Sequence, residues 1–128
     1  MIKMNKKILI IEDEIVLRNV LQTKLSQEGF EIFIAGNGKE GLKIALHKHP
    51  DLILLDIAMP VMDGITMLKK IKTESEWGGN AKIILLTNLS DSEKVAEALL
   101  YGFQSYLVKV DWTVNDIVKK VKEELGIV

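Results

Sequence analysis

Cysteine is absent from the chain's 128 residues. That excludes a disulfide framework and any thiolate metal site, and it suits a reducing compartment, so the cytoplasm is the expected location. A surplus of positive charge is missing too. Seventeen Lys and Arg stand against 18 Asp and Glu, a formal net charge of −1, and the pI is near 6.1. Without a basic stripe, direct nucleic-acid binding is not expected, and the lysines read as solvated helix faces. Long hydrophobic runs are lacking as well. After Met1-Ile2-Lys3-Met4-Asn5-Lys6-Lys7, the apolar residues Ile8 to Ile11 are stopped by Glu12-Asp13-Glu14, so this stretch reads as neither a signal peptide nor a membrane span. No repeat, low-complexity tract or break in composition divides the chain. The simplest expectation is one domain over 1–128, long enough to bury a single core.

What is present is an alternation. Short apolar runs predict strands at 7–11, 31–35, 51–55, 82–86 and 105–108, and segments of helical period predict helices near 14–28, 38–48, 64–75, 91–101 and 113–125. These are five βα units of an α/β fold. Continuous Ile, Leu and Val runs fit strands covered on both faces, as in a parallel sheet, whereas surface strands would alternate more cleanly. In the first helix Val16-Leu17, Val20-Leu21 and Leu25 recur at three-to-four spacing, and Gly29 follows as a C-terminal cap. The last helix places Ile117-Val118, Val121 and Leu125 on one face behind Thr113, an N-cap residue. Trp77-Gly78-Gly79-Asn80 reads as a loop.

The strand ends carry the chemistry. Asp51-Leu52-Ile53-Leu54-Leu55 runs into Asp56, Ile8 to Ile11 run into Glu12-Asp13, and the later runs end in Thr87 and Lys109. Parallel neighbouring strands would bring all five groups to one carboxyl edge, where open α/β sheets bind ligands. Three carboxylates repel one another and so favour a proton or a hard divalent metal. Mg²⁺ takes one or two carboxylates together with waters and a phosphate oxygen, which matches Asp13 and Asp56 as direct ligands and Glu12 through water. A carboxylate can also attack phosphorus to give an aspartyl-phosphate, with Mg²⁺, Lys109 and Thr87 offsetting charge on the transferred oxygens.

Ile10-Ile11-Glu12-Asp13, Asp56 with Met59-Pro60 and Asp63-Gly64, Leu86-Thr87 and Tyr106-Leu107-Val108-Lys109 resemble the receiver domain of two-component response regulators over nearly the whole chain. The resemblance implies a five-stranded parallel sheet of order 2-1-3-4-5, flanked by five helices in a flavodoxin-like doubly wound fold. It implies Asp56 as phosphoacceptor and Glu12, Asp13, Asp56 and the backbone carbonyl of Ala58 as the Mg²⁺ site, with Lys109 paired to the phosphoryl group. Thr87 and Tyr106 would form the switch pair, the hydroxyl moving to the phosphoryl group and the ring turning into the vacated space. The implied function is a single-domain phosphorelay switch rather than an enzyme. Its partners would be a sensor histidine kinase or histidine phosphotransfer protein, and a downstream protein or second copy on the face of the fourth helix, fifth strand and fifth helix.

Several positions depart from that family's usual pattern. Val110 replaces the proline that commonly follows the lysine in a cis bond. A non-proline cis bond costs about 2.5–4 kcal/mol, so a trans bond with a re-routed loop is expected. Asn88 stands beside the phosphoryl entry where a smaller residue is usual. Ala58 and Leu89 have no group to position an attacking water, which predicts slow autodephosphorylation. The run Ala98-Leu99-Leu100-Tyr101-Gly102-Phe103 has one apolar position too many for a single buried stripe. It predicts either a bulkier core or an exposed patch.

Other readings fit less well. His47 and His49 suit a helix C-terminus without any metal, and Met59 and Met62 read as loop packing. A small Mg²⁺-dependent phosphohydrolase would want a second aspartate two residues beyond its nucleophile after strand one, where this chain has Ile15. A nucleotide or flavin site would want a Gly- or Ser/Thr-rich cradle in place of Glu12-Asp13-Glu14. A non-phosphorylated adaptor would not need the five-group site.

Overall fold

A computed structural model describes residues 5–59, 61–88 and 91–127. Five strands, β1 (Lys7–Ile11), β2 (Glu31–Ala35), β3 (Leu52–Asp56), β4 (Lys82–Thr87) and β5 (Ser105–Val108), form one parallel sheet of order β2-β1-β3-β4-β5. Between them run α1 (Ile15–Gln27), α2 (Gly38–Lys48), α3 (Gly64–Glu74), α4 (Ser92–Ala98) and α5 (Val114–Glu124), with an additional helical turn at Glu76–Gly79. The expected topology is therefore the observed one.

The uninterrupted apolar runs exist because the central strands are covered on both sides. Leu9, Ile11, Ile53, Leu55, Ile83 and Leu85 face a core closed by Ala45 of α2, Met67, Leu68 and Ile71 of α3 and Ala98 of α4. The alternate residues Ile8, Ile10, Leu52, Leu54, Ile84 and Leu86 face a second core closed by Leu21 and Leu25 of α1 and Ile117, Val118 and Val121 of α5. Period two along each strand thus supplies both cores at once.

Helix boundaries follow their caps. The α1 helix ends in a Schellman motif: the Phe30 N–H donates to the Leu25 carbonyl at 3.3 Å and the Gly29 N–H to the Ser26 carbonyl at 3.0 Å. Gly29 has φ 96, a conformation a Cβ would resist. Thr113 and Asp116 form a reciprocal capping box at the start of α5.

Three local expectations are corrected. Trp77 to Gly79 belong to a helical turn rather than a loop, because the Ser75 hydroxyl accepts from the Gly78 N–H and starts a new turn where α3 stops. The fourth helix ends at Ala98, not 101, and residues 99–101 continue as a turn that closes at Gly102, φ 87. Val16 does not join the buried stripe of α1; it is 77 % exposed beside exposed Ile15, and the helix is anchored by Leu21 and Leu25. Among the described residues no helix is long and apolar enough to cross a membrane.

Candidate functional site

The parallel register delivers the strand ends to one edge. Ile11 is level with Leu55, Asp56 with Leu86, and Thr87 with Val108. One hydrogen bond past β1, the Glu12 N–H donates to the Ala35 carbonyl at 3.1 Å, and past β3 the Ile57 N–H donates to the Leu86 carbonyl at 3.2 Å. Glu12 and Asp56 are thereby held in ladder-like backbone and are both buried. The loop after β3 is fixed at its far end by Asp63, whose carboxylate caps α3 by accepting from the Thr66 N–H at 2.8 Å. A Cβ on Gly64 would lie 2.5 Å from the Asp56 carbonyl oxygen. The glycine is what lets α3 begin this close to the strand end. Within the same loop Val61 has φ 69, a region that costs a β-branched residue about 1–3 kcal/mol.

Lys109 reaches across from the end of β5 into the acids. Its Nζ lies 2.5 Å from Glu12 Oε1, 3.0 Å from Glu14 Oε2 and 3.4 Å from Asp56 Oδ2. Burial disfavours the ammonium, but hydrogen bonds with Glu12 and Glu14 and the charge of Asp56 outweigh it, and the net shift is upward. Lys109 is therefore a fixed cation. Asp56 is pushed the other way for a carboxylate, up to about 8, first by burial, then by a hydrogen bond with Glu12 and that residue's charge; Lys109 offsets only part. The Ala58 N–H donates to Asp56 Oδ1 at 3.2 Å.

One lysine does not neutralise four acids. Carboxylate oxygens of Glu12, Asp13 and Asp56 lie within 4.8 Å of one another, with Asp13 exposed and the other two buried. The surplus of hard oxygen donors fits a hard divalent cation, with Asp13 open to solvent so that water ligands can be kept. The arrangement can thus hold a metal ion beside a buried carboxylate, with the Lys109 ammonium against two of the same acids.

Thr87 and Tyr106 line one cavity, and among the described residues neither side chain is hydrogen-bonded to the acids. The buried Thr87 hydroxyl donates to the Leu107 carbonyl at 3.3 Å, and Tyr106 is half exposed, edge-on to Phe103. Between them, lined also by Asn88, Ser92, Val95 and Val108, is a cavity of about 180 Å³. The Asn88 N–H is bonded to the Asp91 carboxylate at 2.8 Å. Pro60 and Leu89 lie outside the described residues. No cis peptide bond occurs among the described residues, so Lys109-Val110 is trans as expected. The chain instead turns through a 3₁₀ segment at Lys109–Asp111.

Glu14 is the residue that sequence reasoning passed over. It stands at the N-cap of α1, yet its side chain makes no capping bond and extends to Lys109. The available signal was a third consecutive acid at the strand end. Among the described residues neither His47 nor His49 belongs to a cluster of potential metal ligands; His49 caps α2 in left-handed backbone and stacks on Trp77 at 4.7 Å. Met59 and Met62 pack against the core beneath the loop, as expected. The apolar run after Ala98 divides. Tyr101 and Phe103 pack against the core, whereas Leu99 and Leu100 are exposed.

The response regulator receiver domain family matches residues 8–122. Sporulation initiation phosphotransferase F of Bacillus subtilis is 36 % identical over 120 residues, covering 91 % of this chain and 94 % of that protein. A probable transcriptional regulator, ycf27 of Cyanophora paradoxa, is 39 % identical over 104 residues, 81 % of this chain but 42 % of that protein. The match therefore covers less than half of that relative and nearly all of the other. The receiver domain of a Pseudomonas aeruginosa sensor histidine kinase, solved with a magnesium ion coordinated in its active-site cleft, superposes with a TM-score of 0.83 at 26 % identity, covering 94 % of this chain and 98 % of that one.

Proposed function

The chain belongs to the response regulator receiver family, and from that membership we propose that it is a phosphorelay switch whose phosphoacceptor is Asp56. The observation that carries the reading is the buried Asp56 carboxylate with the Lys109 ammonium 3.4 Å away and two further acids within metal-sharing distance. An Asp56 oxygen attacks the phosphorus of a donor. The new bond to Asp56 forms as the bond from phosphorus to a kinase histidine, or to the acetate of acetyl phosphate, breaks, and the leaving group departs with the bonding electrons. Glu12, Asp13 and Asp56, with the carbonyl of Ala58, would hold Mg²⁺, which would neutralise charge on the phosphoryl oxygens and favour the ionised Asp56. Lys109 then exchanges carboxylate partners for a phosphoryl oxygen. Thr87 leaves the Leu107 carbonyl for the same group, and Tyr106 turns into the adjacent 180 Å³ cavity.

The activity is that of a signalling switch rather than a metabolic enzyme, contained in one domain over 1–128. Its donor is a sensor histidine kinase or histidine phosphotransfer protein in the cytoplasm. Its output is a protein partner, or a second copy, on the α4-β5-α5 face. Loss of the phosphoryl group is slow, because neither Ala58 nor Leu89 can orient water.

Intact-mass measurement with acetyl phosphate and Mg²⁺ tests this. A single phosphoryl adduct is expected in wild type, persisting through a time course after donor removal. It should be absent in Asp56→Asn and with EDTA. An adduct retained in Asp56→Asn, or neither adduct nor phosphate release in wild type, overturns the assignment, and decay within the mixing time overturns slow loss.

A further inference from the structure

Strand β2 is an edge strand, paired to β1 alone among the described residues. Phe33 at its centre and Ile44 of α2 pack only partly against the core. Between strand and helix they leave a hollow of about 340 Å³, within the range of small-molecule sites. Its lining is Phe33, Ile44, Lys43, His47 and Lys48. The floor is aromatic and aliphatic, and the rim carries two lysines and a histidine and no acid, in a chain of net charge −1. Lys48 Nζ stands 5.7 Å from the Phe33 ring centroid, close enough for a cation–π contact that holds the ammonium over the hollow.

We propose that this hollow binds small amphipathic carboxylates, with an aryl or short acyl body on Phe33 and Ile44 and the carboxylate between Lys43 and Lys48. A carboxylate accepting from an ammonium makes a charge-assisted hydrogen bond, and an aromatic body can pack offset or edge-on against Phe33. A neutral apolar molecule matches the floor alone, and an inorganic anion the rim alone; the pairing of both gives the class. The hollow sits at the opposite end of the sheet from Asp56: the Lys48 carbonyl accepts from Lys7 Nζ at 3.4 Å, at the first residue of β1. Occupancy can therefore be read independently of phosphoryl transfer.

The test is an amide-resolved NMR titration with 4-phenylbutyrate, 4-phenylbutanol and inorganic phosphate, on wild type and on the doubly reversed variant Lys43→Glu, Lys48→Glu. Saturable shifts at Phe33, Ile44 and Lys48 are expected with phenylbutyrate. They should require about tenfold more of the alcohol, and about tenfold more phenylbutyrate in the variant. The variant should still unfold cooperatively, with the small loss of stability that removal of the Lys48–Phe33 contact implies, and its Asp56 adduct should be unchanged. Absence of saturable shifts, equal affinity for the alcohol or for phosphate, unchanged binding in the folded variant, or shifts confined to Leu99 and Leu100 would each overturn the proposal.

Discussion

The centre of the sheet and its α4-β5 rim are built on opposite terms. In β1, β3 and β4, from Ile8 to Ile11, Leu52 to Leu55 and Ile83 to Leu86, every side chain is fully buried. At the rim Leu99, Leu100, Tyr106, Val110 and Trp112 are large, apolar and exposed, and β5 has four residues with a single inner position fully covered. The difference has a functional logic. Two buried carboxyl groups side by side at Glu12 and Asp56 are unfavourable when both are ionised and persist only where surrounding packing determines their geometry. A surface that must change shape or partner needs the reverse: side chains with little to lose when they move. Under the proposed function, the buried half would hold the charge and the exposed half would report it.

The largest expected effect probes the rigid half. Leu54 is fully buried, opposite Ile10 and Ile84 in the core closed by α1 and α5. Leu54→Ala should cost about 2–5 kcal/mol in denaturant unfolding, the lost transfer energy plus that of an unfilled cavity. A loss below about 1 kcal/mol would mean that the centre can collapse around the gap, and the contrast with the rim would fail.

That contrast was half legible in the sequence. Continuous apolar runs identify strands buried on both faces, and the acids, hydroxyl and amine that end those runs place the site. Caps such as Gly29 and Thr113 are local chemistry and read directly. What the sequence does not display is which of two apolar patterns faces inward. Val16 and Leu99 stand in apolar runs like those of core residues, yet both are exposed. Glu14 was missed for a related reason. Its role comes from Lys109, 95 residues away, and no local rule distinguishes a partner for a distant lysine from an acid that favours a helix start. The helical turn at Glu76–Gly79 was hidden by its two glycines, whose poor propensity is overridden by the Ser75 cap.

A second prediction, of intermediate size and opposite sign, tests the stored electrostatic cost. Asp56 stands near 3.8 when unfolded and is pushed up to about 8 in the fold, so the folded metal-free protein holds its proton more tightly than the unfolded chain. The corresponding stability is fully present below about pH 4 and lost as pH rises through about 8. Asp56→Asn removes this dependence. With EDTA, the variant should gain about 1–4 kcal/mol over wild type as pH is raised from 5 to 8, and Mg²⁺ should narrow the gap. Parallel stability curves for the two proteins over that range would show that the cluster stores no such cost.

The smallest expected stability change is the most discriminating for the rim. Leu100 is 78 % exposed and follows the end of α4, so Leu100→Asp should alter unfolding free energy by no more than about 0.5 kcal/mol. Its effect should appear in association instead. Sedimentation of the acetyl-phosphate-treated protein should show any wild-type self-association reduced in the variant, because a carboxylate placed in a desolvated apolar contact carries a penalty that solvent does not impose. The two readouts separate two explanations of the extra apolar residues. If Leu100→Asp destabilises the monomer by more than about 1 kcal/mol, Leu100 serves the core, and the rim is packing rather than interface. If stability holds while association falls, the exposed leucine is retained for a partner, and the looser half of the molecule carries the output.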